Sequence, residues 1–175
     1  MNLREAILAQ HSKEQVNKIV SFINGDPEKF AELMHLFFEG EYRVTQRAAW
    51  SMSDCVRKWP YLLNPYFKQI LENLLKPDLH DAIKRNSTRI LQEVAIPEDL
   101  HGLAAEICFG YLEKKSEAVA IRAFAMKILY NLSLIYPELQ NDLIVLIEEQ
   151  LPYESPAFTN RGKKILAGFK KRATT

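Results

Sequence analysis

The stretch YRVTQRAAWSMSDCVRKWP, residues 42–60, decides the fold of this chain. It reads as one amphipathic helix that begins after Gly40 and ends before Pro60. Related stretches begin at residues 80, 117 and 158: HDAIKRNSTRILQEVAIP, EAVAIRAFAMKILYNLSLIYP and FTNRGKKILAGFKK. Each copy carries an arginine near its start, and these arginines are separated by 38, 37 and 39 residues: Arg47, Arg85, Arg122 and Arg161. A fixed period of this length, carried by helices, predicts a stack of two-helix repeats.

Prolines mark the borders of these repeats. Pro60, Pro97 and Pro137 each follow one copy of the helix, and a proline ends a helix but fits the first turn of the next. No segment shows the strict alternation of a strand. We therefore predict a single all-α domain over residues 1–175. Its parts are two N-terminal cap helices in residues 1–25 and four helix pairs in residues 27–60, 64–96, 97–136 and 137–172.

The first helix of each pair is called A and the second B. The sequence Asn24-Gly25-Asp26-Pro27 predicts a helix stop, an N-cap and the first turn of the first A helix. The second A helix is predicted over residues 65–76 with Asn64 as its cap. An apolar stripe along each B helix is too wide for one pair to cover, so stacking of the next pair closes the core. The remaining predicted helices are A over residues 97–114 and 137–151, and B over residues 42–59, 79–95, 117–136 and 156–172.

Composition narrows the class of protein. A chain of 175 residues with a net charge of +1 is typical of a globular domain rather than a disordered one. Cys55 and Cys108 both lie in predicted helices, and we expect two buried free thiols rather than a disulfide. The apolar run at residues 143–147, LIVLI, is far shorter than the ~20 apolar residues that a membrane-spanning helix needs. With no secretory signal at the N-terminus, we expect a cytoplasmic protein.

A family resemblance rests on the stretch RAAW, residues 47–50, with Tyr42-Arg43-Val44 before it. It resembles the second helix of a HEAT repeat, and the period and the proline borders agree. The resemblance covers residues 27–171; the fourth copy departs most, with Gly162 and Lys163 where the others are bulkier. The chain is also similar to small bacterial HEAT-like proteins of unassigned activity. The HEAT and armadillo-like resemblance implies a right-handed α-α superhelix, a solenoid that binds other macromolecules, usually proteins, along its inner face.

Charge is divided unequally between the two kinds of helix. The four B helices hold 15 Lys and Arg against 4 Asp and Glu, while the rest of the chain holds 8 against 18. In a HEAT-like stack the B helices line the concave side, so the resemblance implies a basic groove. Because arginine bonds both oxygens of a carboxylate or phosphate, such a groove suits an acidic ligand. The predicted groove residues are Arg43, Arg47, Trp50, Arg85, Arg89, Arg122, Lys127, Tyr130, Arg161 and Lys164.

A structural role for these arginines is the alternative. An arginine at a repeated position can pair with an acidic residue of the neighbouring repeat, for instance Arg47 with Asp81 or Arg85 with Glu117. The two roles are compatible within one chain. The sequence does not choose between them.

Motifs of catalysis are missing from the sequence. It contains no HExxH, GxSxG, P-loop or dinucleotide-binding glycine pattern, and its four histidines are isolated. We therefore predict a non-catalytic scaffold that needs no metal or cofactor and binds an acidic segment of another protein. The alternative is a nucleic-acid-binding protein similar to the HEAT-like alkylpurine DNA glycosylases. Trp50, Asp54, Arg85 and Arg89 could supply the aromatic, acidic and basic side chains of such a protein, but they do not match the motif of those enzymes position by position. The sequence names neither the partner nor the oligomeric state.

Overall fold

The computed structural model describes residues 1–173, and all regular elements in that range are helices. This confirms the all-α prediction. The chain divides into two compact units, one of residues 1–95 and one from residue 96 onward. The helices are α1 (Leu3–Ala9), α2 (Lys13–Ile23), α3 (Pro27–Glu39), α4 (Tyr42–Lys58), α5 (Phe67–Leu74), α6 (Asp81–Leu91), α7 (His101–Glu113), α8 (Val119–Ser133), α9 (Leu139–Gln150) and α10 (Pro156–Ala173).

Helix α4 is the centre of the first unit. It packs against α1, α2, α3 and α6, and it corresponds closely to the B helix predicted over residues 42–59. Several of its buried side chains are small, which lets the neighbouring helices approach closely. The residues of α4 that are buried are Val44, Ala48, Ala49, Ser51, Met52, Ser53, Cys55 and Val56.

The turn between α2 and α3 follows the prediction made from its sequence. Asn24 ends α2 in the left-handed conformation with φ 45°, and Gly25 follows with φ 76°. The Asp26 carboxylate then accepts the backbone N–H groups of Glu28 and Lys29, which caps α3. Pro27 fills the first turn, where its missing N–H costs no hydrogen bond.

The predicted start of the second A helix is wrong. A 3₁₀ helix, Pro60–Tyr66, precedes α5, which begins at Phe67 rather than at residue 65. Asn64 and Pro65 lie inside the 3₁₀ segment and Tyr66 directly precedes α5, so Asn64 does not cap this α-helix. The same happens after Pro97, where a short 3₁₀ helix, Glu98–Leu100, precedes α7.

Helix α8 is the centre of the second unit and packs against α7, α9 and α10. Gly162 explains why the fourth copy of the repeat differs from the others. A Cβ atom at that position would lie 2.9 Å from Cγ2 of Ile147 and 3.1 Å from Cδ2 of Leu151. Glycine therefore permits the close approach of α10 to α9 and to the turn after it.

Both cysteines are buried and free, as predicted. Cys108 is 2% exposed, and burial raises the pKa of its thiol to about 12. Burial likewise raises the pKa of Cys55 to about 12, with a smaller contribution from the Asp54 carboxylate. Both side chains act as small apolar residues of the core. Within residues 1–173, no helix is long and apolar enough to cross a membrane.

The turn between α3 and α4 depends on Gly40, because a Cβ atom there would overlap the backbone carbonyl oxygen of Leu36 and press on Val44. We expect Gly40→Ala to lower the free energy of unfolding by about 1–3 kcal/mol. Gly110, in α7, has open space where its Cβ would stand. The matched control Gly110→Ala should therefore raise stability by about 0.5–1 kcal/mol. Urea unfolding followed by circular dichroism measures both; the same sign for the two variants would contradict this account.

Candidate functional site

A cavity of about 540 Å³ lies in the first unit, lined mainly by α4, α6 and the start of α2. Three of the residues predicted to bind a partner line it together: Trp50 from α4, and Arg85 and Arg89 from α6. Seven further residues complete the lining: His11, Lys13, Gln46, His80, Asp81, Ala82 and Asn86. The cavity is named here the α4–α6 cavity.

The charge of the α4–α6 cavity is mainly positive. Lys13, Arg85 and Arg89 contribute cations, against one carboxylate from Asp81. Nζ of Lys84 lies 3.8 Å from the Asp81 carboxylate, and Asp81 is itself exposed to water. The arrangement therefore favours an anionic ligand.

The two arginines of the cavity differ in their surroundings. Nη1 of Arg89 lies 3.8 Å from Oδ1 of Asp54, and both side chains are largely buried. Arg85, one helical turn earlier, is exposed, and no ion pair joins its guanidinium to another described residue of the first unit. Arg85 is therefore open to an incoming carboxylate or phosphate, as is the exposed Lys13, whereas Arg89 is held in place by Asp54.

Aromatic rings contribute flat apolar surface beside these cations. Trp50 is partly exposed and meets the ring of His11 edge to face, with 5.5 Å between ring centroids. The ring of His80 meets Tyr42 in the same way at 5.2 Å. Nδ1 of His80 accepts the backbone N–H of Ala82 at 3.0 Å, so this histidine caps α6.

The residues missed by the sequence analysis are His11 and Lys13. They belong to the connection between α1 and α2 and to the start of α2, outside the repeats. A periodic pattern cannot indicate them, since no equivalent position recurs later in the chain. The sequence analysis considered Asp81 only as a possible partner of Arg47, and His80 only as one of four isolated histidines.

Arg47 has a structural role. Its Nη1 donates to the carbonyl oxygens of Leu8, at 2.8 Å, and Ile7, at 3.4 Å. These carbonyls belong to the last turn of α1, whose final C=O groups lack partners within the helix. The guanidinium therefore fastens α1 to α4 and does not make the ion pair with Asp81 considered above.

Arg122 is also structural, and it is buried rather than part of an open groove. It is 2% exposed, and its Nη2 lies 2.6 Å from Oε1 of Glu154. The same nitrogen donates to Oε1 of Gln150, whose amide in turn donates to the Leu112 carbonyl of α7. The guanidinium also lies over the ring of Phe158, 4.8 Å from its centroid. Arg122 therefore joins α8 to α7, to α10 and to the end of α9, and we leave it out of the candidate site.

The remaining predicted residues do not share one environment. In the second unit, Nζ of Lys127 lies 4.6 Å from the centroid of the Tyr130 ring, which contacts Phe169 of α10 at 5.1 Å. Partial burial lowers the pKa of Lys127, and the positive charge of Arg161 lowers it further. Lys164 is exposed on α10, and Arg43 is exposed on α4 without lining the cavity.

No group of three His, Cys, Asp or Glu side chains that could hold a metal occurs in residues 1–173. His101, the histidine near Asp99, is buried: Nε2 donates to the Ile96 carbonyl at 2.7 Å, and Nδ1 lies 3.0 Å from the Tyr136 hydroxyl. Both of its nitrogens are thus used within the fold.

The structural role of Arg122 can be tested by Arg122→Met. This change leaves the Glu154 carboxylate without its buried partner, so we expect a loss of about 3–5 kcal/mol in the free energy of unfolding. Adding Glu154→Gln removes the unpaired charge and should restore part of the loss. Lys163→Met, at an exposed position of α10, is the control and should change stability by less than about 0.5 kcal/mol. Equal unfolding midpoints for Arg122→Met and the control would contradict the structural role.

Comparison with known proteins gives one clear result. The family model of the HEAT repeat domain matches residues 3–169, which is nearly the whole chain. No curated protein and no solved structure matches it. HEAT repeats generally mediate interactions between proteins and typically act as non-catalytic scaffolds. The match agrees with the all-α architecture, with the repeat of about 38 residues and with the helix pairs described above, and the chain belongs to the HEAT-repeat family.

Proposed function

We propose that this protein is a non-catalytic interaction module of the cytoplasm whose α4–α6 cavity binds an acidic segment of a partner protein. The observation that carries the proposal is Arg85, an exposed guanidinium beside a cavity that Lys13 and Arg89 make positive. Ion pairs of an isolated surface arginine contribute little, but several cations around one concave surface reinforce each other. A segment with two or more carboxylates is the ligand that uses them together.

The fixed geometry of the neighbouring side chains supports this proposal. Asp54 orients Arg89 from the side of α4, so less side-chain entropy is lost when an anion binds next to it. Arg85 has the freedom to turn towards the ligand and to bind both oxygens of a carboxylate. The pair thus combines one preorganised cation with one adaptable cation.

Trp50 gives the proposed site an apolar anchor. Part of its indole is exposed at the cavity, where the edge-to-face contact with His11 holds the ring. Tryptophan and arginine are the residues that most often dominate binding energy at protein interfaces. The partner segment should therefore carry an apolar or aromatic side chain next to its carboxylates.

Basic side chains of the second unit form a further part of the proposal. Lys127, Tyr130, Arg161 and Lys164 lie on α8 and α10, the two helices of this unit that correspond to predicted B helices. Lys127 and Tyr130 contact each other, and a cation next to a ring suits an acidic or aromatic partner residue. We propose that these side chains bind another portion of an acidic partner.

Nucleic acid is the second candidate ligand, favoured by a specific observation. Trp50, Arg85 and Arg89 line one cavity, and Asp54 is paired with Arg89 at its side. These residues could supply the aromatic, acidic and basic side chains of a protein similar to the HEAT-like alkylpurine DNA glycosylases. An aromatic ring for base stacking beside arginines for phosphate contact would suit this ligand.

The proposed site is tested by charge reversal with Lys13→Glu and Arg85→Glu in one chain. Binding of a fluorescently labelled Glu-rich peptide that carries one tryptophan should weaken at least about tenfold, because the cavity loses its open cations. Lys76→Glu, an exposed lysine of the same unit that does not line the cavity, is the control and should leave binding unchanged. A Gln-rich peptide of the same length should bind neither protein. Equal binding by the double variant and the control would contradict the proposal.

The nucleic-acid candidate is separated from the peptide candidate by a salt titration against random duplex DNA. Binding to phosphates falls steeply with the logarithm of the salt concentration. Under the main proposal we expect no duplex binding at low salt and no release of bases from alkylated DNA. Steep salt-dependent binding that Arg85→Glu abolishes would instead establish nucleic acid as the ligand, and base release would make the protein an enzyme.

A further inference from the structure

A groove of about 460 Å³ lies in the second unit between α7 and α9. Its floor is apolar: Phe109 and Leu146 are partly exposed, and Val145 is 43% exposed. Its edges are polar, with Glu113 from α7 and with Asn141 and Asp142 from α9. The groove is named here the α7–α9 groove, and it is separate from every residue in the proposed site above.

The two helices that form this groove carry charge of one sign. Their sequences, HGLAAEICFGYLE and LQNDLIVLIEEQ, contain no lysine or arginine. Each of their carboxylates is exposed, and none makes an ion pair with a residue in the described range 1–173: Glu106, Glu113, Asp142, Glu148 and Glu149. Unpaired like charges on two adjacent helices repel each other, and a basic ligand relieves that repulsion.

We propose that the α7–α9 groove docks a basic amphipathic helix of a partner protein. An amphipathic helix places apolar side chains at positions i, i+3, i+4 and i+7, which suits a narrow apolar floor between two helices. Lysines and arginines along the sides of that helix then face Glu113 and Asp142. The occupant is thus defined by apolar contact with Val145 and by charge complementarity with the edges.

A second copy of this chain does not fit the groove well. Its most basic helix is α10, with Lys163, Lys164, Lys170, Lys171 and Arg172. Leu166 of α10 is partly buried, and three other large apolar residues of this helix are already buried in the chain's own second unit: Phe158, Ile165 and Phe169. If α10 of a second copy stayed folded in its own unit, it would present mainly charged side chains to the groove, because most of its apolar face would remain buried. The occupant is therefore a different protein.

The test uses the full chain and a labelled synthetic helix of about 18 residues made of leucine and lysine, with leucine at amphipathic spacing. Fluorescence anisotropy should show binding of this helix and not of a scrambled peptide with the same composition. Glu113→Lys with Asp142→Lys should weaken binding at least about tenfold. Val145→Ser, which removes apolar contact without changing charge, should weaken it about fivefold. Glu28→Lys with Glu32→Lys, on exposed positions of α3, makes the same change in net charge and is the control, expected to bind as the unmodified chain does.

Circular dichroism establishes that each variant is folded before binding is compared. Equal losses of peptide affinity in the groove variant and in the α3 control would mean that binding depends only on the net charge of the chain. This result would overturn the proposal. Equal binding of the scrambled peptide, or an unchanged Val145→Ser, would also overturn it, because the apolar floor would then play no part. Analytical sedimentation tests for self-association of the chain. If the chain self-associates and Glu113→Lys with Asp142→Lys abolishes this, the occupant of the groove would be a second copy of the chain and the proposed partner would be wrong. If the Glu-rich peptide fails to bind the α4–α6 cavity, the present proposal is unaffected, because the α4–α6 cavity and the α7–α9 groove share no residue.

Discussion

One central helix in each unit is enclosed by its neighbours, and this enclosure is the constraint on which the structure depends. Helix α4 contacts four other helices and α8 contacts three. Contact on several sides brings helix axes closer together where some of the side chains between them are small, because protein interiors are close-packed. The sequence meets this need with Ala48, Ala49 and Ser51 in α4 and with Ala123 and Ala125 in α8, all of them buried.

Enclosure of the central helices also decides what their arginines do. Arg47 and Arg122 both lie in the first half of a central helix, and each guanidinium donates to a group at the end of a neighbouring helix. Arg85 belongs to α6, which lies at one side of α4 instead of at the centre, and its side chain is exposed. A shared position in the repeat therefore gives a structural arginine in one helix and an exposed arginine in another.

The sequence predicted the helices well because their periodicity, capping residues and prolines are local signals. It failed at the start of α5, where a 3₁₀ segment that contains Pro60 and Pro65 precedes the α-helix. For the candidate site, the pattern indicated Trp50, Arg85 and Arg89, which line one cavity, but treated the buried Arg122 as their equivalent. Burial of Arg122 depends on Glu154 and Gln150, which lie about 30 residues away in sequence and outside the repeated positions. Long-range contacts of this kind leave no mark in a single sequence.

The near-neutral charge of the chain conceals surfaces of opposite sign. Within the second unit, α7 and α9 carry only carboxylates, whereas α10 carries only cations, because acidic and basic residues fall on different members of the helix pairs. At physiological salt, charges act over only about 8 Å, so a ligand senses the local surface and not the net charge of +1. Charges divided in this way attract basic ligands to α7 and α9 and acidic ligands to α10. An acidic and a basic ligand therefore need not compete for one surface, because the carboxylates of α7 and α9 repel the acidic ligand and the cations of α10 repel the basic one.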